Sequence, residues 1–311
     1  MLKYILLVGG FVLLIKGADF FVDGSSAAAK MLKVPSIIIG MTIVAMGTSL
    51  PETSVSVAAS LAGKNDLAVS NVIGSNIFNL MVVSGMCAIL CPLAIEKDAL
   101  KRDFPISIAA AGILMGMGWL GSKVGHIDGL ILLVLFAGFL WLMVSSAKKA
   151  RSESAGSDEE YKTMPVWKCG LLIAGGSAAI AIGGKMVVSG ASDIARTFGM
   201  SDNLIGMTIV ALGTSLPELV TSIVAARKNE VDMALGNVIG SNIFNILFVL
   251  GIAAFISPVA FTMENIIDSA VLILMSGLVL AFCAKSKKLV RWNGIVMVLL
   301  YAGYTTYIIM R

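Results

Sequence analysis

The sequence predicts an all-α membrane protein with about ten transmembrane helices in two inverted five-helix repeats. Three observations carry that expectation. The 311 residues are 58% hydrophobic and only 14% charged, with a mean hydropathy of +0.93, and a soluble protein of this size needs far more polar surface. The block GMTIVAMGTSLPE at 40–52 returns as GMTIVALGTSLPE at 206–218, and NVIGSNIFN at 71–79 returns at 237–245, both offset by 166 positions. Lys and Arg gather in the loops that would lie on one side of the membrane.

The apolar runs place spans near 3–23, 36–62, 67–91, 104–121 and 126–147, then near 167–195, 204–226, 233–257, 266–284 and 290–309. Each is long enough to cross a hydrocarbon core of about 30 Å as a helix. The first run follows Lys3 and precedes Ala27-Ala28-Ala29, a pattern shared with signal peptides. It is expected to be a retained helix, because Gly17–Gly24 aligns with Gly183–Gly190 at the same offset of 166. Runs 36–62 and 204–226 carry GTSLPE and are expected to be interrupted there. Runs 67–91 and 233–257 carry the second block, and the five remaining runs are plain apolar helices. The only extended polar stretch is RSESAGSDEEYKT, 151–163. It divides the chain into a first repeat 1–147, a linker 148–166 and a second repeat 167–311.

Charge gives the expected orientation. The side holding the N-terminus carries only Lys3, Lys64, Lys123, Arg196 and Arg311 in its loops. The other side collects Lys30, Lys33, Lys97, Lys101, Arg102, Lys148, Lys149 and Arg151, then Lys162, Lys168, Arg227, Lys228, Lys285, Lys287, Lys288 and Arg291. The basic side is therefore expected to be cytoplasmic, with both termini extracytoplasmic in a cell (inner) membrane. An odd number of spans per repeat inverts the second half relative to the first. Lys16 and Lys185 fall within spans, where snorkelling or a local partner, Asp19 for Lys16, is expected.

Net charge of +4 gives no reason to expect nucleic acid. Cys87, Cys91, Cys169 and Cys283 sit in or beside apolar runs with no His or second pair, which reads as core packing. His126, the only histidine, reads as a solvated loop residue.

The repeated blocks carry the chemistry. Pro51 has no N–H, so the Gly47 carbonyl four residues earlier loses its helical partner. Gly47 and Thr48 are expected to make local unwinding cheap. Glu52 follows directly, with Thr48 about one turn away. Gly213, Thr214, Ser215, Pro217 and Glu218 repeat the device. A carboxylate at mid-span costs about 2.5–3.5 kcal/mol on insertion scales, so it implies a function or a buried partner. No Lys or Arg stands near either Glu in sequence. GSNIFN adds Ser75 and Asn79, four apart on one helix face, and their mates Ser241 and Asn245. Asn76 and Asn242 point elsewhere, and interhelical hydrogen bonding stands beside ligation for them. The donor set is all oxygen, which suits hard cations such as calcium and, at similar size, sodium. Two carboxylates are neutralised by one calcium or two sodium ions.

GMTIVAMGTSLPE with GSNIFN, each present twice, resembles the α1 and α2 repeats of the cation/calcium exchanger superfamily, specifically the prokaryotic Na+/Ca2+ antiporters of the YrbG type. The resemblance spans essentially the whole chain. It implies the Na+/Ca2+ exchanger fold and electrogenic exchange of about three Na+ for one Ca2+ by alternating access, with no enzyme activity and no cofactor. Carried over, the calcium site is Glu52 and Glu218 with the main-chain carbonyls of Thr48 and Thr214. The sodium sites use these residues together with the Ala45 and Ala211 carbonyls, Ser49, Ser75, Ser215, Ser241, Asn79 and Asn245. The helices 3–23 and 167–195 form a sliding bundle. Some relatives carry Asp where this chain has Asn245; in K+-dependent ones that Asp is linked to potassium coupling. Expected partners are Ca2+ and Na+ as substrates and the lipid bilayer, with the protein as a monomer. A H+/Ca2+ antiporter with proton-carrying Glu52 and Glu218 is the alternative. A cation channel is a third reading, separated by unitary conductance.

Overall fold

The structure is a computed structural model that describes residues 1–63, 65–153, 164–201 and 205–311. Among these residues, eight helices are long and apolar enough to cross a membrane, or ten spans if two bent pairs each count as one. In chain order they are α1 (Leu2–Leu32), α2 (Ser36–Thr48) with α3 (Leu50–Leu61), α4 (Asp66–Leu90), α5 (Ala99–Gly121) and α6 (His126–Glu153). The second set is α7 (Val166–Thr197), α8 (Thr208–Thr214) with α9 (Leu216–Arg227), α10 (Val231–Ile256), α11 (Met263–Ser286) and α12 (Arg291–Met310). The chain is thus a multi-pass membrane protein of two inverted five-span repeats.

Helix α1 runs well past residue 23, where the apolar run was expected to end. Ser25, Ser26, Ala28 and Ala29 are buried along its extension, and Lys33 stops it in the left-handed region at φ 54°. Small side chains keep that stretch helical and let it pack, although it is not apolar. Its mate α7 lies antiparallel against it. Gly10, Gly17 and Gly24 face the turns containing Gly183, Gly176 and Cys169. A Cβ on Gly17 would stand 2.8 Å from Ala179 Cβ, and one on Gly183 would stand 2.6 Å from the Leu14 nitrogen. This seven-residue glycine spacing brings the backbones together, as small residues do in membrane interfaces.

Short strands tie the repeats together at both ends. On the face carrying the linker, β1 (Leu93–Ala94) is to pair with β4 (Lys288–Leu289), antiparallel. On the opposite face β2 (Lys123–Val124) is paired with β3 (Val259–Ala260), antiparallel. The two faces pack differently around the site. On the linker face α2 lies hard against α10, so that a Cβ on Gly240 would meet Met41 Cα at 2.5 Å. Its mate Gly74 on α4 has open space. In the same sense Val44 is 0% exposed and its mate Val210 is 36% exposed.

Several expectations are corrected. Asp19 does not partner Lys16: it pairs with Lys228 at 2.6 Å, while Lys16 is exposed. His126 is not a loop residue; it opens α6, and its Nδ1 lies 2.8 Å from the Phe255 carbonyl oxygen. Residues 148–153, assigned to the linker, continue α6. The rest of the polar run, 154–163, lies outside the described residues. All four cysteines are free, with Cys87, Cys169 and Cys283 buried.

Candidate functional site

The bends fall at Ser49 and Ser215. Each serine leaves helical geometry, and α2 meets α3 at 49° and α8 meets α9 at 47°. The proline sits in the first turn of the second half-helix, where its missing N–H costs nothing. The break is therefore one residue or two later than expected from Gly47 and Thr48. Gly47 and Gly213 serve close approach rather than unwinding. A Cβ at Gly47 would meet the Phe21 ring of α1 at 2.6 Å, and one at Gly213 would meet Val188 of α7 at 2.1 Å. The Gly47 carbonyl, freed by Pro51, accepts a hydrogen bond from Ser177 of α7 at 3.4 Å.

These bends bring the carboxylates to the start of α3 and α9, both fully buried. Ser49 Oγ donates to Glu218 Oε1 at 2.7 Å, and Ser215 Oγ donates to Glu52 Oε1 at 3.1 Å. Ser75 Oγ lies 3.1 Å from the same Ser215 hydroxyl. Thr214 lies beside Glu52 and Thr48 beside Glu218. Each carboxylate is thus dressed by the other repeat. No described residue forms an ion pair with either.

Helices α4 and α10 cross beside them. Asn79 and Asn245 each open a wide π-turn, Asn79–Val83 and Asn245–Val249, and π-turns also cover Gly40–Val44 and Gly206–Val210. Such turns interrupt the regular ladder and recur at functional sites. Asn76 and Asn242 clasp the two helices together: each amide donates to the other's backbone carbonyl, at 3.0 and 3.2 Å. Asn245 Nδ2 donates to Asn76 Oδ1 at 3.1 Å, whereas both amide atoms of Asn79 have no partner. The mates at 79 and 245 are therefore not equivalent.

Two further pairs, one half-buried and one buried, escaped the sequence reading. Asn71 donates to Ser56 Oγ at 3.0 Å and to the Glu52 carbonyl at 3.4 Å. Asn237 donates to Ser222 Oγ at 2.9 Å and to the Glu218 carbonyl at 3.4 Å. Asn237 Oδ1 also accepts from Thr48 Oγ1 at 3.1 Å, across the repeats. Both asparagines open the duplicated NVIGSNIFN block, so the signal was present in the sequence.

Buried polar atoms without hydrogen-bond partners converge on the same residues. They include Glu52 Oε2, Glu218 Oε2, Asn79 Oδ1, Asn242 Oδ1, Asn245 Oδ1, Ser241 Oγ and Thr221 Oγ1. Native proteins leave few such groups, so a cluster of oxygens calls for a ligand. The Ala45 carbonyl already receives Ser49 N–H at 3.0 Å and Thr48 Oγ1 at 3.3 Å, and the Ala211 carbonyl receives Thr214 Oγ1 at 3.3 Å. The donors are oxygen throughout, and no group of three or more His, Cys, Asp or Glu that would hold a metal occurs among the described residues. The arrangement can bind desolvated hard cations and neutralise two buried charges.

A family model described as sodium/calcium exchanger protein matches residues 2–145 and 169–310. The chain is 39% identical to the putative antiporter CaxA of Alkalimonas amylolytica, covering 95% of each protein. It is 38% identical to the inner membrane protein YrbG of Escherichia coli, over 81% of this chain and 79% of that one. A solved structure of the sodium-calcium exchanger NCX_Mj superposes with a TM-score of 0.84 at 36% identity, covering 97% of this chain and 96% of that chain. With the match running through both repeats and the exchanger architecture shared along nearly its whole length, the chain belongs to the sodium/calcium exchanger family, in its prokaryotic YrbG-type branch.

Proposed function

We propose that this cation/Ca2+ exchanger moves Na+ against Ca2+, electrogenically, by alternating access. The observation that carries the reading is the set of orphaned buried oxygens around two carboxylates that pair with no Lys or Arg among the described residues. Calcium takes Glu52 and Glu218 with the carbonyls of Thr48 and Thr214. Sodium takes the Ala45 and Ala211 carbonyls, Ser49, Ser75, Ser215, Ser241, Asn79 and Asn245 around the same carboxylates. One Ca2+ offsets the two negative charges, three Na+ exceed them by one, and the empty site leaves both unpaired, so an unloaded carrier is disfavoured from crossing between states. That preference favours exchange over leak.

The moving part is the α1–α7 pair, which touches the site at Phe21, Ser177 and Val188. Sliding it past the bends exposes the site to one face and then to the other. The linker face is cytoplasmic and both termini lie outside, on the strength of the basic loops.

In membrane vesicles, an outward Na+ gradient is expected to drive radioactive calcium uptake, at a rate that responds to imposed voltage. Uptake that ignores Na+ and follows a pH gradient would replace this reading with H+/Ca2+ antiport.

A further inference from the structure

Residues 228–230 form the tight turn from α9 into α10 on the linker face. Asn229 is left-handed at φ 61°, and the Glu230 N–H returns to the Ala225 carbonyl at 2.9 Å. The turn is thereby fixed, and it presents Lys228 and Glu230 to the first repeat. Lys228 Nζ lies 2.6 Å from Asp19 Oδ1 and 2.7 Å from Asp23 Oδ1, and donates to the Asp19 carbonyl at 3.0 Å. The Glu230 carboxylate accepts from Ser26 on α1 and, at 3.0 Å, from Ser36 at the start of α2. One turn of the second repeat therefore grips both the sliding helix and the neighbouring half-helix of the first.

On the opposite face the Lys228 clasp has no counterpart among the described residues. The chain turns left-handed there too, at Gly63 with φ 69°, but Ala62 stands where Lys228 stands. On α7, Lys185 and Ser189 replace Asp19 and Asp23 at the offset of 166. Ser192 is the mate of Ser26, and its buried hydroxyl has no partner; Lys64 and Asp202, the mates of Glu230 and Ser36, lie outside the described residues. The face that carries the ion pairs is also the closed one, with Gly240 packed on Met41, while Gly74 opposite has open space.

We propose that Lys228, clasping Asp19 and Asp23 from a turn that Glu230 ties to α1 and α2, is a one-sided latch that holds the linker face shut and sets which face the ion site opens to. The proposal rests on the alternating-access reading above. Alternating access exchanges the conformations of the two repeats. In the exchanged state α1 and α2 leave the turn, the two ion pairs break, and nothing encoded at Ala62, Lys185 and Ser189 replaces them. Each partly exposed pair biases the equilibrium by roughly two- to five-fold. Burial pulls the Lys228 ammonium down in pKa, and its bonds to Asp19 and Asp23 more than reverse this. The lysine therefore stays charged at neutral pH, and the latch responds to conformation rather than to protons.

The test uses the full-length protein with Lys228→Gln, Glu230→Gln, and the triple charge swap Lys228→Glu, Asp19→Lys, Asp23→Asn. Hydrogen exchange, which needs no transported ion, is read first. The single variants are expected to speed exchange in the 225–231 turn and slow it in the 61–65 turn, and the swap is expected to restore both. In proteoliposomes of known orientation, the ratio of half-saturating Ca2+ at the two faces is then expected to move by roughly two- to ten-fold toward tighter apparent binding at the linker face. Faster exchange at both turns together, or an unchanged exchange pattern and ratio, would overturn the latch. If Lys228→Gln does not fold, Glu230→Gln alone decides, since it keeps the shape of the carboxylate. If the wild type shows no Na+-driven Ca2+ flux, the proposed function fails, while hydrogen exchange still judges the latch.

Discussion

Ser215 of the second repeat donates to Glu52 of the first at 3.1 Å, and its mate Ser49 donates to Glu218 at 2.7 Å. The carboxylate of each half is held by the hydroxyl of the other. Neither repeat alone assembles the proposed ion site, and the bends at Ser49 and Ser215 are what bring each hydroxyl to the opposite glutamate. Duplication and inversion thus give two half-sites that complete one another.

Glu52→Gln and Glu218→Gln are each expected to lower Na+-driven calcium flux by more than about 100-fold, beyond what loss of an outer contact costs at a metal site. Each is expected to leave the fold intact, because an amide replaces a buried charge that has no ionic partner. Calcium flux in vesicles and a thermal unfolding midpoint check the two halves of this expectation. Full flux in Glu52→Gln would displace the glutamates from the centre of the mechanism.

Asn79→Asp and Asn245→Asp are expected to differ although the positions are mates. Asn79 has no partner, so a carboxylate there adds charge and breaks nothing. Asn245 donates to Asn76 Oδ1, and an ionised Asp would set oxygen against oxygen at 3.1 Å. Asn76 is already committed to Asn242 and is not free to turn. Calcium binding retained with altered Na+ or K+ dependence is expected of both variants, and both bury a third charge, but the larger fall in unfolding midpoint is expected in Asn245→Asp. Titration calorimetry and thermal melts separate them; unchanged ion dependence in both would remove these positions from coupling.

Asn237→Leu is expected to be worse than Asn71→Leu. Both strip a donor from a buried serine and from the glutamate's own helix, which costs about 1–3 kcal/mol in unsatisfied groups. Asn237 also accepts from Thr48 across the repeats, a bond that Asn71 is not seen to mirror. Thr48 then loses its inter-repeat partner, and the placement of α2 against α10 loosens. The measurable result is a lower unfolding midpoint and a weaker apparent calcium affinity for Asn237→Leu than for Asn71→Leu.

Much of this was legible because the chemistry is local and doubled. The offset of 166 exposes the repeat, and GTSLPE announces an interrupted helix carrying a carboxylate. What was not legible depends on distant neighbours. Gly47 and Gly213 are small for Phe21 and Val188, side chains on other helices, and no local pattern shows that. The Asp19–Lys228 pair joins residues 209 positions apart, where the nearer Lys16 looked like the partner. The π-turns at Asn79 and Asn245 leave no mark on periodicity. The difference between the faces was invisible in principle, since near-identical blocks adopt two packings.

That difference makes Gly74 and Gly240 a decisive pair. In the structure Gly240 is closed against Met41, so that an added Cβ would stand 2.5 Å from backbone, while Gly74 has room. Gly240→Ala is therefore expected to destabilise this state by about 1–3 kcal/mol through overpacking. Gly74→Ala is expected to leave it untouched. If the repeats exchange conformations during transport, Gly74 must take its turn against α8, and the added methyl obstructs that state alone. Gly74→Ala is then expected to keep the wild-type unfolding midpoint and calcium binding at the opposite face, yet turn over several-fold more slowly. Flux by Gly74→Ala at the wild-type rate would mean that α4 never closes on α8, and that the two repeats do not trade places.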